Sequence, residues 1–460
     1  MFRKYIGDRA FYRRVLAVVM PIMVQSAISS FVSLLDNIMV GQVGTIPMTG
    51  VSIVNQLMFV FNLCVFGAAS GAGIFTAQFY GNQNEEGIRY SFRFKILSCI
   101  GLAVVGCGIF IFGGNWLIGL YLQGEGNIED ALLALTYGKD YLMVMLLGLL
   151  PFALSNAYSS TLRETGQTMV PMVAGIVAVF VNLLLNYVFI FGKFGVPAMG
   201  VAGAAWATVI ARFVELGVVA VWAHSHTSQL TYLKGAYRSI HIPGKLLKDI
   251  CIKGLPLMVN EFLWASGMAF INQCYSTCGL DVVPAINISS TIYNLAGVGY
   301  FSMGSAVGII MGQMLGAGHT EAEVRDSNRK LVACSCFVGA LFGAGMAAIS
   351  GVFPALYKTT EQVQLLASQL ILISALMMVF NAYTHASYFT LRSGGQTFVT
   401  FLFDSFFVWV LCVPLAFCLT RFTSLAIIPI YAICQSTDLV KTVIGGWLLK
   451  KGIWIRNLTQ

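Results

Sequence analysis

Twelve long apolar stretches, separated by short polar segments, are the feature that most constrains how this chain can fold. A helix needs roughly 20 mostly apolar residues to cross the hydrocarbon core of a bilayer, and every stretch is that long. Charged residues make up only 10% of the chain, whereas a soluble domain is typically about 25% charged. The sequence therefore predicts an all-α integral membrane protein with twelve transmembrane helices. The predicted spans are 15–40, 48–80, 92–118, 132–160, 168–192, 198–223, 250–278, 284–315, 330–356, 364–390, 397–420 and 424–449.

Most of the 27 lysine and arginine residues lie on one side of these spans, together with both ends of the chain. Because loops rich in lysine and arginine stay in the cytoplasm, both termini are predicted to be cytoplasmic, and an even number of spans agrees. The bases are not gathered on one soluble domain, so we expect no nucleic-acid partner. The loops of the other side carry Lys139, Lys193, Lys358 and Arg421.

The two halves of the chain repeat each other. The segment TLRETGQT at 161–168 recurs as TLRSGGQT at 390–397 and differs at only two positions. Each half holds six spans, so the copies insert with the same orientation, which is the parallel-repeat arrangement of transporters. The sequence thus predicts two rocking lobes around a central cleft, with 1–223 as the N-terminal lobe, 224–248 as a cytoplasmic linker and 249–460 as the C-terminal lobe. Further matched pairs, at one constant spacing, are Pro21 with Pro256, Ser70 with Ser305, Gln78 with Gln313, and Gly81 with Gly316.

Acidic residues inside the spans are candidates for function, because a charge at the bilayer centre costs at least about 2.5 kcal/mol. Glu215 and Asp438 each have a base one helical turn away, Arg212 and Lys441, and such pairs favour a structural role. Asp404 has no local partner. We expect it to be either a buried hydrogen-bonded group or a residue of the cleft.

Asp36 is the strongest candidate for ion binding, since no base lies within two helical turns of it. Asn182 and Asn186 lie one turn apart on the fifth span, and at 1.5 Å per residue they reach a similar depth. A carboxylate with two amide oxygens suits Na⁺. Alone in an apolar site, the same carboxylate would favour its protonated form and could carry H⁺. The remaining interpretation is a packing device, with Asp36 capped by neighbouring hydroxyl groups.

Glu261 is the second candidate. It follows Pro256, which bends the seventh span and frees a backbone carbonyl. We expect Glu261 to bind a cation or the substrate, or else to form a salt bridge with Lys253. Aromatic and methionine side chains in the cleft would bind flat organic cations. The weaker candidates for such a cleft are Met258, Trp264, Tyr293, Phe301, Asn381 and Asp404.

The chain resembles the multidrug and toxic compound extrusion (MATE) family along essentially its whole length. The residues that carry the resemblance are Pro21 with LLDNIMVGQVG, GAGIFTAQFYG ending at Gly81, TLRETGQTMVP and its copy TLRSGGQT, NLLLNYVFIFG from Asn182, PAMGVAGAAWATVI from Pro197, and the ending KTVIGGWLLKKGIWIRNLT. No single motif is decisive, but their order and spacing are specific.

The resemblance implies a twelve-helix, two-lobe exporter driven by inward flow of H⁺ or Na⁺. In family terms Asp36 matches the acid of the first span, Asn182 an amide partner, and Thr208 a hydroxyl ligand. Asn186 matches a position that is Asp in some members, which lowers the negative charge of the site here. Glu261 matches the acid of the seventh span, and Asn381 takes the place of its acidic partner in the tenth.

The function expected from the sequence is a secondary antiporter that exports organic, mainly cationic compounds in exchange for H⁺ or Na⁺. The alternative is a flippase for a lipid-linked cell-envelope precursor, which would need cationic residues for pyrophosphate. We expect no enzyme, because His385, the intramembrane histidine, is preceded one turn earlier by Asn381 rather than an acid. We also expect no cofactor beyond the coupling ion. The partners would be the bilayer of the cell membrane and a small organic substrate, with the protein as a monomer.

Overall fold

The computed structural model describes residues 4–122, 128–357 and 359–459, and most of these residues are helical. Lys358, one of the loop bases named above, lies outside them. The helices in chain order are α1 (Arg9–Gly41), α2 (Thr45–Gly81), α3 (Glu85–Tyr121), α4 (Ile128–Leu146), α5 (Leu149–Glu164), α6 (Met169–Phe191), α7 (Gly200–Ser225), α8 (Gly244–Ser276), α9 (Val282–Gly316), α10 (Glu321–Ala348), α11 (Glu361–Ser393), α12 (Thr397–Phe422) and α13 (Ile427–Lys451).

Helices α4 and α5 are two halves of one bent span. They meet at an angle of 48°, and counting them together gives twelve spans in the described part of the chain, as the sequence predicts. The carbonyl of Gly148, at the bend, accepts from the N–H of Phe152 at 3.1 Å and also from Arg212 of α7 at 3.3 Å. The charged Arg212 donor thus adds a second hydrogen bond at the bend and joins it to α7. The Arg212 guanidinium also lies 4.8 Å from the centre of the Phe152 ring.

Several helices begin earlier than hydropathy predicts. The sequence places the starts of two spans at residues 92 and 330, but α3 begins at Glu85 and α10 at Glu321. Polar caps explain the difference, because they satisfy backbone donors that lie beyond the hydrocarbon. Asn84 accepts from Gly87 N at 2.9 Å, and Thr320 forms a capping box with Glu323. Hydropathy detects the apolar part of a helix and misses these polar first turns.

The contacts divide the described chain into two compact units. The N-terminal unit consists of 24–76 and 84–251, and the C-terminal unit of the residues up to Met23, 77–83 and those from Ile252 onward. Helix α7 ends at Ser225 and α8 begins at Gly244, so the connecting segment runs over 226–243. The lobe boundaries at 223 and 249 stay a prediction.

Within the N-terminal unit, α6 and α7 pack closely because α7 is lined with small residues. A Cβ at Gly203 would lie 2.7 Å from the carbonyl carbon of Phe189, so this approach needs glycine. A buried ion pair joins α3 to α5. The fully buried Lys95 donates to Glu164 at 2.5 Å and to Thr161 at 3.2 Å. The sequence places Lys95 among the bases of the cytoplasmic side, whereas its ammonium group is enclosed by protein.

Within the C-terminal unit, the ends of α2 and α9 meet backbone to backbone. A Cβ at Gly81 would collide with the carbonyl of Gln313, and a Cβ at Gly316 with the carbonyl of Gln78. The Gln78 side chain also holds the last residues of the chain. Its Nε2 donates to the carbonyl of Ser393 at 2.8 Å, and its Oε1 accepts from Leu458 N at 2.7 Å.

Candidate functional site

The Asp36 cluster consists of Asp36, Asn182, Asn186 and Thr208, and it lies inside the N-terminal unit. Asp36 is on α1, the two asparagines are one turn apart on α6, and Thr208 is on α7. Asn182 and Asn186 are 7% and 2% exposed, while Asp36 and Thr208 are half-buried. The close packing of α6 on α7 brings Thr208 against Asn182. The structure thus brings together the four residues that the sequence and the family resemblance single out here.

The Asp36 carboxylate is held by amide groups. Asn186 Nδ2 donates to Asp36 Oδ1 at 2.8 Å. The Asn182 amide can take two orientations. In the one that we assign, its Nδ2 lies 2.8 and 3.1 Å from the two carboxylate oxygens, and its Oδ1 lies 3.3 Å from Thr208 Oγ1. In the other orientation Oδ1 accepts from Asn186 Nδ2 at 3.2 Å, and Nδ2 donates to Thr208.

This arrangement offers oxygen ligands to a hard cation. Besides the carboxylate, the cluster contains the Asn182 Oδ1 and the Thr208 Oγ1, and the buried Asn186 Oδ1 accepts no hydrogen bond from the described residues. A monovalent cation beside Asp36 would draw the amide oxygens toward itself, which a half turn of each amide allows. A proton on Asp36 would instead make the carboxyl group a donor to one of these oxygens.

A second polar cluster lies inside the C-terminal unit around Asp404. Lys441 of α13 donates to Asp404 Oδ1 at 3.1 Å, with side-chain exposures of 8% for the lysine and 24% for the acid. The sequence interpretation paired Lys441 with Asp438 and gave Asp404 no partner. The structure makes Asp404 the direct partner of Lys441, since α12 and α13 lie side by side.

Helix α12 is widened into π-helical turns around Asp404, over Leu402–Phe406 and Val408–Cys412. Asn260 of α8 binds this segment. Its Nδ2 donates to Asp404 Oδ2 at 3.1 Å, and its Oδ1 accepts from the N–H of Ser405 at 3.2 Å and the hydroxyl of Ser405 at 2.7 Å. Such π-helical interruptions occur frequently at functional sites. Sequence reasoning missed Asn260, and its position directly before Glu261 was the signal available.

Glu261 lies next to this cluster. It is half-buried on α8, and its charge interacts with those of Arg392 and Asp404. Arg392 belongs to the TLRSGGQT segment and lies 5.1 Å from the centre of the Phe389 ring. The predicted roles of Glu261 in binding a cation or a substrate remain predictions.

Some of the predicted cleft residues come together in the C-terminal unit. Asn381 donates to the Tyr293 hydroxyl at 3.0 Å, and that hydroxyl lies 2.8 Å from the hydroxyl of Tyr300. Phe301 packs with its ring centroid 5.0 Å from that of His385. Trp264 lies apart from them, against the apolar cluster that contains Ile271 and Tyr275.

A transition-metal centre is not a feature of the described residues, in which no three His, Cys, Asp or Glu side chains come together as metal ligands. This observation does not bear on Na⁺, whose ligands at the Asp36 cluster would be mostly amide and hydroxyl oxygens.

Comparison with known proteins places the chain among membrane transporters. The family model MatE matches residues 21–188 and 256–418. The chain is 24% identical over 422 residues to the probable multidrug resistance protein NorM of Thermotoga maritima, covering 90% of this chain and 87% of that protein. It is 26% identical over 456 residues to the probable multidrug resistance protein NorM of Pasteurella multocida, covering 96% and 89%.

Solved structures share the fold. The chain superposes on the MATE transporter VcmN of Vibrio cholerae with a TM-score of 0.86 at 17% identity, over 98% of each chain. It superposes on an outward-facing multidrug resistance transporter of the MATE family with a TM-score of 0.83 at 18% identity, again over 98% of each chain. The architecture of twelve helices in two six-helix lobes, related by a parallel internal repeat, is therefore confirmed.

Proposed function

The chain belongs to the MatE family, and on this premise we propose that it is a secondary antiporter that exports organic, mainly cationic multidrug-type compounds in exchange for H⁺ or Na⁺. The names of its relatives support export of multiple drugs, since they include probable multidrug resistance proteins of several bacteria. The observation that supports ion coupling is the position of the Asp36 carboxylate, which is hydrogen-bonded by two buried asparagines.

Coupling requires that the ion bind one state of the transporter better than the other. In this proposal the neighbours of Asp36 supply that difference. The amide nitrogens of Asn182 and Asn186 face the carboxylate, with hydrogen bonds at 2.8 Å. Binding of Na⁺ would reverse the preferred orientation of these amides, and a proton on Asp36 would favour reversal of one amide whose oxygen accepts from the carboxyl group. The ion would thereby change the contacts between α1 and α6.

The protein acts in the cell membrane in this proposal, with both termini in the cytoplasm and the lipid bilayer as its surroundings. The excess of lysine and arginine on the side of both termini supports the orientation. The proposed working form is a monomer, because the repeat supplies both lobes within one chain. Its small partners are the organic substrate and the coupling ion, without another cofactor.

The alternative function, a flippase for a lipid-linked precursor, needs cationic groups that are available to pyrophosphate. The chief bases that the sequence offers inside the spans, Arg212 and Lys441, already have partners. Arg212 donates to the Gly148 carbonyl, and Lys441 to Asp404. These contacts favour the antiporter.

The test is transport in proteoliposomes that contain the purified chain and a fluorescent organic cation. A pH gradient and a Na⁺ gradient are imposed separately, and the wild type is expected to move the dye against its gradient with one of them. Asp36→Asn is expected to abolish this transport while the protein remains folded. The matched control is Asp140→Asn, since Asp140 is exposed on α4. Ion-driven export by the Asp36→Asn variant at the wild-type rate would contradict the assignment.

A further inference from the structure

A groove lies between the first half of α3 and the connecting segment 226–243, both within the N-terminal unit. Its space, which includes the part open to the surroundings, is about 380 Å³. Its walls are mostly apolar side chains, and Arg93 and Ser239 complete them. The lining residues are Phe92, Arg93, Ile96, Leu97, Ala236, Tyr237, Ser239 and Ile240.

The connecting segment is fixed against α3, so the groove is part of the fold. The Arg93 guanidinium donates to three carbonyls of the segment, those of Gly235 at 2.9 Å, Ala236 at 2.7 Å and His241 at 3.0 Å. Arg89, one turn earlier on α3, donates to the carbonyl of Tyr232 at 3.0 Å. Hydrogen bonds to a charged donor are stronger than neutral ones, and four of them hold this short segment.

The open side of the groove is lined by large apolar side chains that are exposed. Ile240 is 73% exposed, Tyr237 57% and Leu97 41%. Further along α3, side chains in the middle of the span are also exposed, such as Val104 at 67% and Phe112 at 93%. Because those side chains must face hydrocarbon, the groove opens toward the lipid chains of the membrane.

The depth of the groove is that of a membrane interface. Arg93 lies eight residues after the start of α3 at Glu85, or about 12 Å along the helix at 1.5 Å per residue. The polar first turns of α3 extend outside the hydrocarbon, and the apolar span predicted from the sequence begins at residue 92. The groove therefore lies where lipid headgroups give way to acyl chains.

The surface around the groove is basic. Four bases are exposed here. Lys234 and Arg238 lie in the connecting segment, and Lys245 and Lys248 lie in the first turns of α8. The acids of this region are fewer. Asp249 is half-buried, and of the two glutamates that begin α3, Glu86 accepts a hydrogen bond from Tyr90 at 2.5 Å. Basic residues at a membrane surface attract anionic headgroups.

We propose that this groove binds an anionic phospholipid, with an acyl chain against Leu97, Tyr237 and Ile240 and the headgroup against Arg238 and Lys234. Tyr237 is positioned for this contact, since its hydroxyl is hydrogen-bonded to that of Tyr158 while its ring remains exposed. The lipid attaches the connecting segment to the membrane. This inference does not depend on what the protein transports.

The experiment is native mass spectrometry of the full chain, released from bilayers of equal parts phosphatidylglycerol and phosphatidylcholine. The wild type is expected to retain phosphatidylglycerol preferentially. The double variant Lys234→Ala/Arg238→Ala should retain roughly tenfold less of it, because both proposed headgroup contacts are removed. The matched control is Lys139→Ala/Lys193→Ala, which removes the same charge from exposed positions elsewhere.

A second variant tests the acyl-chain part of the site. Ile240→Glu places a negative charge in the groove and is also expected to lose the retained phosphatidylglycerol. For the wild type, the backbone amides of residues 231–243 should exchange hydrogen more slowly in phosphatidylglycerol bilayers than in phosphatidylcholine bilayers. For Ile240→Glu, the exchange rates should be equal in the two bilayers. Equal retention of the two lipids by the wild type would overturn the proposal. The proposal would also be overturned if the Lys234→Ala/Arg238→Ala variant and its control lost the same amount of bound phosphatidylglycerol.

Discussion

At the scale of single residues, the two polar clusters differ in how far sequence could predict them. Asp36, Asn182 and Asn186 were predictable because helical spacing puts both asparagines on one face at the depth of the acid, and the 2.8 Å hydrogen bond agrees with that expectation. The partner of Lys441 was not predictable. Asp404 lies on another helix, and only the packing of α12 on α13 decides that it, rather than the neighbouring Asp438, binds the lysine.

The neutral Asn186 leads to a prediction about ion choice. In Asn186→Asp, two carboxylates would lie within hydrogen-bonding distance, and they cannot both be ionised without a cation between them. We expect half-maximal Na⁺-driven transport at a Na⁺ concentration at least about tenfold lower than in the wild type, which corresponds to about 1.4 kcal/mol. Dye transport at a series of Na⁺ gradients measures this. The control Gln229→Glu adds the same charge at an exposed site, and an equal effect there would contradict the explanation.

The ion pair of Asp404 with Lys441 leads to a prediction about stability. Removing one partner of a buried pair leaves the other charge unpaired and costs about 3 kcal/mol. Asp404→Asn should therefore lower the thermal unfolding temperature in detergent, whereas Asp404→Asn/Lys441→Met should recover most of the loss. A double variant that unfolds at a temperature as low as the single variant would show that the pair itself is not the cause.

At the scale of elements, sequence predicted the spans and missed their irregularities. Hydropathy does not detect the 48° bend between α4 and α5, because the apolar composition continues across it. Arg212 on α7 donates to the carbonyl of Gly148 at this bend. At the first π-helical turn of α12, Asn260 of α8 accepts from the N–H of Ser405. At both places a side chain from another helix binds the backbone, and the local sequence does not predict that contact.

The crossing of α2 and α9 leads to a prediction about packing. Gly81→Ala and Gly316→Ala each place a methyl group against a backbone carbonyl that cannot move aside, and overpacking of this kind costs about 1–3 kcal/mol. Both variants should unfold at lower temperature and export dye more slowly. Gly101→Ala is the control, because a Cβ there meets nothing within 4 Å. If Gly81→Ala and Gly316→Ala both unfold at the wild-type temperature, the two helices can move apart without loss of stability, and the explanation is wrong.

At the scale of the whole molecule, the internal repeat was the most informative part of the sequence. It predicted two six-helix lobes inserted with one orientation, and the solved structures with TM-scores of 0.83 and 0.86 share that architecture. The repeat could not predict which side chains differ in environment between the copies. Lys95 is enclosed with Glu164 in the first copy, whereas the second copy has Ser393 in place of that glutamate.

The orientation of the molecule leads to a prediction about labelling. Lys193 and Lys234 are both exposed, but the distribution of lysine and arginine places them on opposite sides of the membrane. A membrane-impermeant maleimide added to intact cells should label Lys193→Cys above the background of the native cysteines, and should label Lys234→Cys only after the cells are opened. Labelling of Lys234→Cys in intact cells would reverse the proposed topology.

The contact between α2 and α9 also bears on how such a chain could arise. Gly81 faces the carbonyl of Gln313 while Gly316 faces the carbonyl of Gln78, so the contact is reciprocal between matched positions of the two copies. Reciprocity of this kind defines an isologous interface, as in a homodimer with twofold symmetry. A six-helix ancestor that paired with itself would need one glycine and one glutamine to make this contact. If such a gene were duplicated and fused, the same contact would depend on two glycines and two glutamines. A substitution at either glycine would then weaken the packing of both copies.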